Sequence, residues 1–372
     1  MDFARLARTR LRKLRSSLIG WLMVRFIQSE LRRSRRLGAT APEKKEWPLL
    51  PCSCAYLAER DAIMNAVLAV LNETLNQLQN AETVNRPIAG FSGELDALRK
   101  TTGMAEWRDW ITSDVRRHQL YPILLEDPMV RHSAVRPRGY PGDAELIDYI
   151  YGSGNVQPKI NSASELGRRL YQYDRMTPPS SAVRNRREMA AAEIDRMAFT
   201  GMRPHILSIA CGHLREAQSL ESLRNGTLGR FVGLDQDPLS LELLRREWGH
   251  CGVEARECDA RMLMRRGLTT LGKFDFIYAL GLYDYLSDRA AARLLATAVD
   301  MLNPGGKVWI ANFVEDIPFA GYMEAIMDWW LIYRSEDRLG ALGDRIDPSK
   351  IASRRTFVEP EKNVAFLEIV RA

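Results

Sequence analysis

The sequence has few cysteines and little continuous apolar sequence. Its five cysteines among 372 residues are odd in number and scattered, which disfavours a secreted disulfide framework and favours a reducing cytoplasm. The apolar stretch from Leu18 to Ile27 has ten residues and is interrupted by Arg25. As a helix it would rise only about 15 Å against a hydrocarbon core of about 30 Å, so it cannot span a bilayer unaided. It also lacks the small-residue cleavage pattern of a signal peptide.

Motifs for metals and for phosphates are equally scarce. Cys52-Ser53-Cys54 has no second ligand pair at metal-site spacing, so we expect no metal. The segment after Ile209 holds one glycine, Gly212, where a phosphate-binding G-x-G-x-x-G loop holds three. With 46% hydrophobic and 27% charged residues, the composition is that of an ordinary soluble globular protein. Intrinsic disorder, collagen-like repeats and a multi-span membrane protein are therefore disfavoured.

What the sequence does contain is a strongly basic amino terminus. The whole chain carries a net charge of +6, but residues 1–36 carry +9, so the remaining 336 residues carry −3. Leucines recur at helical spacing from Leu11 to Leu22 with arginines to one side, which predicts a basic amphipathic arm over residues 1–37. Residues 38–54 contain prolines and no apolar periodicity, and we interpret them as a linker.

Three partners are open for this arm. It could lie at the interface of an anionic membrane, which would make a cytoplasmic protein peripheral on the inner face of that membrane. It could dock its leucines on the protein's own body or on a second copy in a homodimer. It could also attach to polyanions without specificity, but no specific nucleic acid is expected.

The rest of the chain divides into two parts by its hydrophobic periodicity. Residues 55–180 carry apolar residues at helical spacing, which predicts a mostly helical lid or substrate domain. From residue 181 to 372, short apolar runs alternate with helical segments, as in a parallel sheet covered on both faces. The predicted helices between the strands lie near 214–223, 238–248, 261–270 and 288–301. The five predicted strands are Ile206–Ala210, Arg230–Leu234, Val253–Glu257, Phe274–Leu280 and Lys307–Phe313. Two more, near 354–359 and 363–370, predict a closing antiparallel hairpin.

Polar residues stand where the predicted strands end, which is where ligands bind in an open α/β sheet. Gly212 after the first strand lets a ligand approach the backbone, and Asp235 at the end of the second can accept both hydroxyls of a ribose. Asp259 after the third strand lies where a carboxylate can accept from an adenine amino group. Together these residues predict an adenosine pocket.

Residues 181–372 resemble the class I S-adenosylmethionine-dependent methyltransferases. The resemblance rests on the order of the glycine loop, the acidic strand ends, Phe274-Asp275-Phe276-Ile277, Leu302-Asn303-Pro304-Gly305-Gly306 and the closing hairpin. It implies an α/β, Rossmann-like class I methyltransferase sheet with S-adenosyl-L-methionine as the cofactor. The implied cofactor-binding residues are Ala210, Cys211, Gly212, Glu216, Asp235, Gln236, Asp259, Ala260 and Leu280. Ser208 stands where the family has an acid on strand one, and Glu216 could supply that carboxylate.

A narrower resemblance extends over about residues 120–372. The segments that carry it are Arg138-Gly139-Tyr140-Pro141-Gly142-Asp143-Ala144-Glu145-Leu146, Ser208-Ile209-Ala210-Cys211-Gly212, Gly281-Leu282-Tyr283-Asp284-Tyr285-Leu286 and Asp328-Trp329-Trp330-Leu331-Ile332-Tyr333-Arg334. They look like those of bacterial methyltransferases associated with making the methyl ester of 3-hydroxypalmitic acid, a diffusible cell-density signal. The resemblance implies O-methylation of the carboxylate of a fatty or 3-hydroxy fatty acid.

Methyl transfer to a carboxylate needs no base, but it needs groups that orient the acceptor. We predict that the catalytic residues are Tyr140, Asp143, Tyr283 and Arg334. Other roles are open for three of them: Asp143 could cap the following helix, Tyr283 could pack in the core, and Arg334 could pair with a carboxylate. An alcohol or amine acceptor would instead need a base, and the side chains available for that are His213, Asp143 and Asp284.

Two other functions remain open at this stage. The chain could be an O- or N-methyltransferase that tailors a small natural product. It could also be a cofactor-binding relic that acts as an interaction protein, because Ala210 and Leu214 replace glycines of the family's loop. An enzyme should lose cofactor binding on Asp235→Ala substitution, and a wild-type protein that never bound the cofactor would exclude both enzyme functions.

Overall fold

The computed structural model describes residues 52–80, 83–266 and 271–372. The predicted arm, residues 1–37, and the predicted linker up to residue 51 lie outside the described residues. The first described helix begins at Cys52, so the last three residues of the predicted linker are helical. None of the described helices is long and apolar enough to cross a membrane.

Helices make up most of the described chain before the first strand, as its periodicity predicts. They are α1 (Cys52–Asn80), α2 (Asn85–Thr101), α3 (Met104–Ser113), α4 (Leu120–Leu124), α5 (Pro128–Val135), α6 (Ala144–Tyr151), α7 (Gln157–Asn161), α8 (Glu165–Asp174) and α9 (Pro178–Ala198). Several begin at a side-chain cap, because Asp127, Asp143 and Ser164 each accept a backbone N–H of the first turn of α5, α6 and α8. These caps fix where the helices start.

The second half of the chain forms a seven-stranded sheet in the order β3-β2-β1-β4-β5-β7-β6. Its strands are β1 (His205–Ile209), β2 (Arg230–Asp235), β3 (Val253–Glu257), β4 (Phe274–Ala279), β5 (Leu302–Phe313), β6 (Ile351–Val358) and β7 (Val364–Arg371). The first five strands in this order, β3, β2, β1, β4 and β5, are parallel to their neighbours. Strand β7 runs antiparallel to β5 and to β6. This arrangement confirms the predicted fold class: an α/β, Rossmann-like sheet with a closing antiparallel hairpin, preceded by a mostly helical region.

Short helices connect the strands. They are α10 (Glu221–Arg224), α11 (Pro238–Trp248), α12 (Ala260–Arg266), α13 (Asp288–Asp300), α14 (Ala320–Ala325) and α15 (Glu336–Gly340), with 3-10 turns at Arg215–Gln218, Gly249–Cys251, Tyr283–Tyr285, Ala341–Arg345 and Pro348–Lys350. The segment predicted as one helix over residues 214–223 is instead a 3-10 turn followed by α10. Leu214 has a left-handed φ of 50° and Leu220 is extended, so a continuous helix cannot pass through either residue.

The core lies between the sheet and the helices that cover it. Along α13, Ala291, Leu295 and Ala298 recur at helical spacing and are buried in one apolar cluster with Ile277 of β4 and Ile310 of β5. Full burial of such a leucine contributes about 1.5–3 kcal/mol relative to an exposed one. This packing fixes β4 and β5, and with them the loops at their carboxyl ends.

The two outer strands of the sheet carry exposed charges. β3 exposes Arg256 and Glu257, and β6 exposes Arg354 and Arg355. The inner strands β1 and β4 are almost entirely buried. Because both faces of the central strands are covered, their sequences are continuous apolar runs instead of an alternation.

The described chain separates into two compact units. Residues 52–72 and 98–118 belong to the first, whose buried side chains include Trp107, Trp110 and Ile111. Residues 73–97 and 119–372 belong to the second, which contains the whole sheet. Residues 119–180 thus share a unit with the sheet, and their role as a lid or substrate domain stays a prediction.

Candidate active site

A cavity of about 380 Å³ opens at the carboxyl ends of the parallel strands. It adjoins the point between β1 and β4 where the strand order reverses, which is where open α/β sheets bind ligands. All nine residues predicted to bind the cofactor line it, from Ala210 after β1 to Leu280 after β4. Tyr140, Tyr151 and Arg186, from the helical part of the same unit, complete the wall. The structure thus brings the predicted cofactor residues together, and their individual roles stay predictions.

The loop after β1 has a strained backbone that only partly depends on glycine. Ala210, Gly212 and Leu214 all have positive φ, between 50° and 54°. A Cβ at Gly212 would lie 3.1 Å from the Cβ of Ala144, so a side chain there would be both strained and crowded. Non-glycine residues in this conformation are uncommon and cluster at ligand-binding sites. The loop therefore presents its backbone to the cavity although it has one glycine.

Asp235 holds that loop in place. One of its carboxylate oxygens accepts the N–H of Gly212 at 2.8 Å, and the other accepts the N–H of Asp237 at 2.9 Å. Burial raises the pKa of Asp235, although the backbone donors act in the opposite direction. Each oxygen keeps a lone pair for a further donor. The residue thus fits the predicted role of accepting hydroxyl groups.

Glu216 brings a second buried carboxylate to the cavity wall. Its Oε1 atom accepts the hydroxyl of Tyr278, on β4, at 2.6 Å. Burial raises the pKa of Glu216, and the hydrogen bond from Tyr278 partly offsets this effect. Ser208, the residue that replaces the family's strand-one acid, is buried inside β1. The position of Glu216 supports our prediction that it supplies the carboxylate Ser208 lacks.

Asp148 on α6 organises the charged side chains beside the glycine loop. It accepts His213 Nδ1 at 2.7 Å and two donors of Arg215 at 2.6 and 2.7 Å. Although burial acts to raise it, these hydrogen bonds lower the pKa of Asp148 to about 2. Arg138 Nη2 lies 3.3 Å from His213 Nε2, and since a guanidinium can only donate, that nitrogen accepts. Both ring nitrogens of His213 are therefore engaged.

The structure separates the four predicted catalytic residues. Tyr140 lines the cavity, and burial raises the pKa of its hydroxyl, which keeps it a neutral donor. Asp143 does not line the cavity. Its carboxylate caps α6 through the N–H of Leu146 at 2.8 Å and binds His132 Nε2 at 2.8 Å. The capping role left open by the sequence is the one that its geometry fits.

Tyr283 and Arg334 also lie outside the cavity wall. Tyr283 is fully buried in the apolar core, and its hydroxyl has no hydrogen-bond partner among the described residues. Arg334 is fully buried and donates to the carbonyl of Tyr283 at 2.8 Å, to Asn312 Oδ1 at 2.5 Å and to Asp288 Oδ1 at 3.0 Å. These contacts tie the loop after β4 to the end of β5. These contacts give no support to the predicted catalytic roles of the two side chains, which stay predictions.

Part of the cavity wall is apolar. Leu282, Tyr285, Phe313 and Trp329 line it, and we call these four residues the apolar wall. Trp329 Nε1 donates to the hydroxyl of Tyr285 at 2.6 Å, which satisfies the indole N–H and leaves the hydroxyl its own hydrogen to donate. Asp284 also lines this region, and burial raises its pKa to about 6.

Sequence reasoning did not single out two residues of the site, Asp148 and Arg186. Asp148 is an acid between the apolar residues Ile147 and Tyr149 of the helix Ala144–Tyr151, and an acid in such surroundings is a usable signal for a buried ion pair. Arg186 lies close in sequence to Arg184 and Arg187 on α9. No local pattern distinguishes it from these neighbours, because only the tertiary fold buries it.

A family model described as a methyltransferase domain matches residues 206–306. No curated protein matches the chain. Within the part of the chain that the structure describes, no group of three His, Cys, Asp or Glu side chains could hold a metal ion. The matched residues run from β1 into β5 and include every predicted cofactor residue.

Solved structures with partial likeness include methyltransferases. A "possible exported protein" from Bordetella parapertussis is 16% identical, with 82% of this chain and 96% of that chain covered and a TM-score of 0.49. Magnesium protoporphyrin IX methyltransferase from Synechocystis PCC 6803 is 12% identical, with 61% and 98% covered and a TM-score of 0.39. The N-methyltransferase NodS from Bradyrhizobium japonicum WM9 is 13% identical, with 50% and 96% covered and a TM-score of 0.36. Identities this low carry no information on the acceptor.

Proposed function

We propose that this S-adenosylmethionine-dependent methyltransferase methylates the carboxylate of a fatty or 3-hydroxy fatty acid to a methyl ester. The observation that carries the proposal is the apolar wall in the same cavity as the predicted cofactor residues. Leu282, Phe313 and Trp329 offer a hydrocarbon chain a surface from which water is excluded. The resemblance to enzymes of 3-hydroxypalmitic acid methyl ester formation, and with it a role in cell-density signalling, supports the same acceptor.

A carboxylate acceptor also fits the state of the available bases. When bound, S-adenosylmethionine supplies a methyl group on a positively charged sulfur. A carboxylate that accepted this methyl group would carry no proton at neutral pH, so no residue of the chain would have to remove one. His213 has both ring nitrogens engaged and Asp143 lies outside the cavity wall. The chain's own contribution is then to hold, orient and desolvate the reactants.

One observation favours a second candidate, the O- or N-methylation of a small natural product. Asp284 lines the cavity with its pKa raised by burial to about 6, which suits a general base at neutral pH. Its Oδ1 accepts the N–H of Phe313 at 2.8 Å, and no hydrogen bond engages its Oδ2 among the described residues. An alcohol or amine placed against that oxygen could lose its proton there.

The test is transfer of labelled methyl groups to 3-hydroxy fatty acids of several chain lengths. We expect label in a base-labile ester, and we expect Asp284→Asn to retain the activity because a carboxylate needs no base. If Asp284 is a base, the same substitution should abolish transfer, and wild-type kcat/KM should rise with pH through about 6. Label found only in alcohols or amines would overturn the carboxylate proposal.

We further propose a cytoplasmic enzyme whose residues 1–36 contact anionic membrane surfaces. These residues lie outside the described part of the chain, and their charge of +9 supports the proposal. An amphiphilic acceptor dissolves in such a surface, so the arm would raise its concentration near the cavity. A homodimer joined through the leucine stripe is the alternative for the same segment.

A further inference from the structure

Arg186 is a buried cation on the cavity wall with unused hydrogen-bond donors. Its side chain comes from α9 and is only 4% exposed. Neither its Nε nor its Nη1 atom has a hydrogen-bond partner within the described chain. The carboxylate oxygen Oδ2 of Asp284 lies 3.9 Å from Nη1, which is too far for a hydrogen bond.

The other buried arginines of this unit show that the fold usually satisfies such groups. Arg215 also lines the cavity, but its donors go to Asp148, Glu247 and Asn155. Arg334 gives its donors to carbonyl and carboxylate oxygens. Buried polar atoms in proteins are nearly always paired, so the two orphaned donors of Arg186 call for a partner that the chain itself does not provide.

The space around the guanidinium is kept open. A Cβ on Gly281 would lie 3.2 Å from Arg186 Nη2, tighter than ordinary contact, so a larger residue at 281 would press on the group. The ring of Phe313 lies 5.8 Å from its central carbon. Arg186 thus lines the same cavity as the predicted cofactor residues Glu216 and Leu280 and as the apolar wall.

We propose that Arg186 binds a carboxylate inside this cavity. A guanidinium presents a planar fork of N–H donors that matches the two oxygens of a carboxylate. The structure offers two sources for that group: the carboxylate of the methyl acceptor, in which case the inference rests on the function proposed above, and the carboxylate of the cofactor's amino acid part. In either case a carboxylate would accept hydrogen bonds from Nε and Nη1 of Arg186.

The consequences for kinetics follow from where the negative charge goes. An acceptor carboxylate loses its charge as it becomes an ester, so Arg186 attracts the bound acid more strongly than the transition state. Its removal should therefore raise KM for the acid much more than it lowers kcat. A cofactor carboxylate keeps its charge throughout, so its loss should appear in cofactor affinity.

The experiment compares full-length Arg186→Gln and Arg186→Lys with Arg187→Gln as the matched control. Arg187 lies next on α9, packs over the ring of Tyr151 and is not on the cavity wall. Calorimetry measures binding of S-adenosylhomocysteine, of 5′-methylthioadenosine, which lacks the amino acid part, and of 3-hydroxydecanoate with S-adenosylhomocysteine present. Thermal unfolding confirms that each variant folds.

We expect Arg186→Gln to weaken one carboxylate ligand on the order of 10- to 100-fold, with Arg186→Lys between it and wild type. Weaker S-adenosylhomocysteine with unchanged 5′-methylthioadenosine assigns the cofactor carboxylate, and that result stands even if fatty acids are not substrates. Weaker 3-hydroxydecanoate with unchanged S-adenosylhomocysteine assigns the acceptor. Asp284→Asn, which removes the neighbouring anion, should strengthen binding of the same ligand. Folded Arg186→Gln that binds all three ligands like Arg187→Gln would overturn the proposal.

Discussion

A single carboxylate, that of Asp235, joins two parts of the cofactor side of the cavity. It accepts backbone N–H groups from Gly212, in the loop after β1, and from Asp237, just before α11. Because it fixes the loop and still has lone pairs for a ligand, its removal should affect both the shape and the chemistry of the site.

We predict that Asp235→Ala lowers the affinity for S-adenosylhomocysteine on the order of 100-fold or more, and Asp235→Asn by about 10-fold. The amide can accept through one atom only, so one of the two backbone contacts is lost. Calorimetric titration measures the change, with the exposed Glu257→Gln at the end of β3 as the control. Asp235→Ala that binds like the control would contradict the role.

The local sequence predicts where Asp235 lies in the fold, but it does not predict the positions of the Arg186 and Arg334 side chains. Asp235 ends its strand, so the strand pattern alone locates it at the edge where ligands bind. Arg334 is held by Asp288 and Asn312, which are distant in sequence and are brought to it only by the closed sheet. The resemblance includes the segment of Arg334, but it does not indicate that this side chain lies outside the cavity wall.

At the scale of elements, helices α5 and α8 share a pair of buried acids. Asp127 caps α5 through Oδ1, which accepts the N–H of Met129 at 2.6 Å, and Asp174 ends α8 and accepts the hydroxyl of Tyr322 at 3.1 Å. The remaining oxygens of the two acids have no partner among the described residues. Burial raises the pKa of Asp174 to about 7 and also raises that of Asp127, which is further raised by the charge of Asp174. The pair is therefore most stable with a bound proton.

This pair should make the stability of the protein fall as the pH rises. In the unfolded chain an Asp titrates near pH 4, so the stabilisation is full below that pH and is lost up to about pH 7. We predict that the free energy of unfolding of Asp174→Asn, relative to that of wild type, increases by a few kcal/mol (order of magnitude) between pH 4 and pH 8, because the amide needs no proton. Urea unfolding across this range measures the difference. If the difference in unfolding free energy between the two proteins does not change with pH, the folded protein does not hold a proton on this pair of acids.

The strands of the sheet were predictable because each is a short apolar run between turn residues. All five parallel strands and the hairpin lie within a few residues of the predicted bounds, apart from the earlier start of β5 at Leu302. The backbone conformation directly after β1 could not be predicted from the local sequence. It depends on hydrogen bonds that the segment donates to Asp235 and Leu234 of the neighbouring strand β2. The predicted helix over residues 214–223 is interrupted at Leu214 and Leu220, whose backbone conformations are not helical.

At the scale of the whole molecule, charge is divided between the amino-terminal arm and the body. Residues 1–36 carry +9 and the rest of the chain carries −3. An anionic surface would attract the arm and repel the body, so the enzyme would be held by one end.

We predict that the full chain sediments with vesicles containing phosphatidylglycerol and is released by salt. Replacing Arg8 and Arg12 by Gln should weaken binding on the order of 10-fold, since each basic residue near such a surface contributes about 1 kcal/mol. Lys44→Gln with Lys45→Gln removes the same charge outside the arm and serves as the control. Equal sedimentation of the two variants would favour the homodimer or docking role.

The exposed charges on β3 and β6 affect how copies of this protein can meet. Open sheet edges are where chains add to one another by strand pairing and begin to aggregate. Pairing two β6 edges would bring Arg354 and Arg355 of both copies into one row of like charges, without counterions from the added strand. The arginines of β6 therefore act against self-association in which two copies of this strand pair.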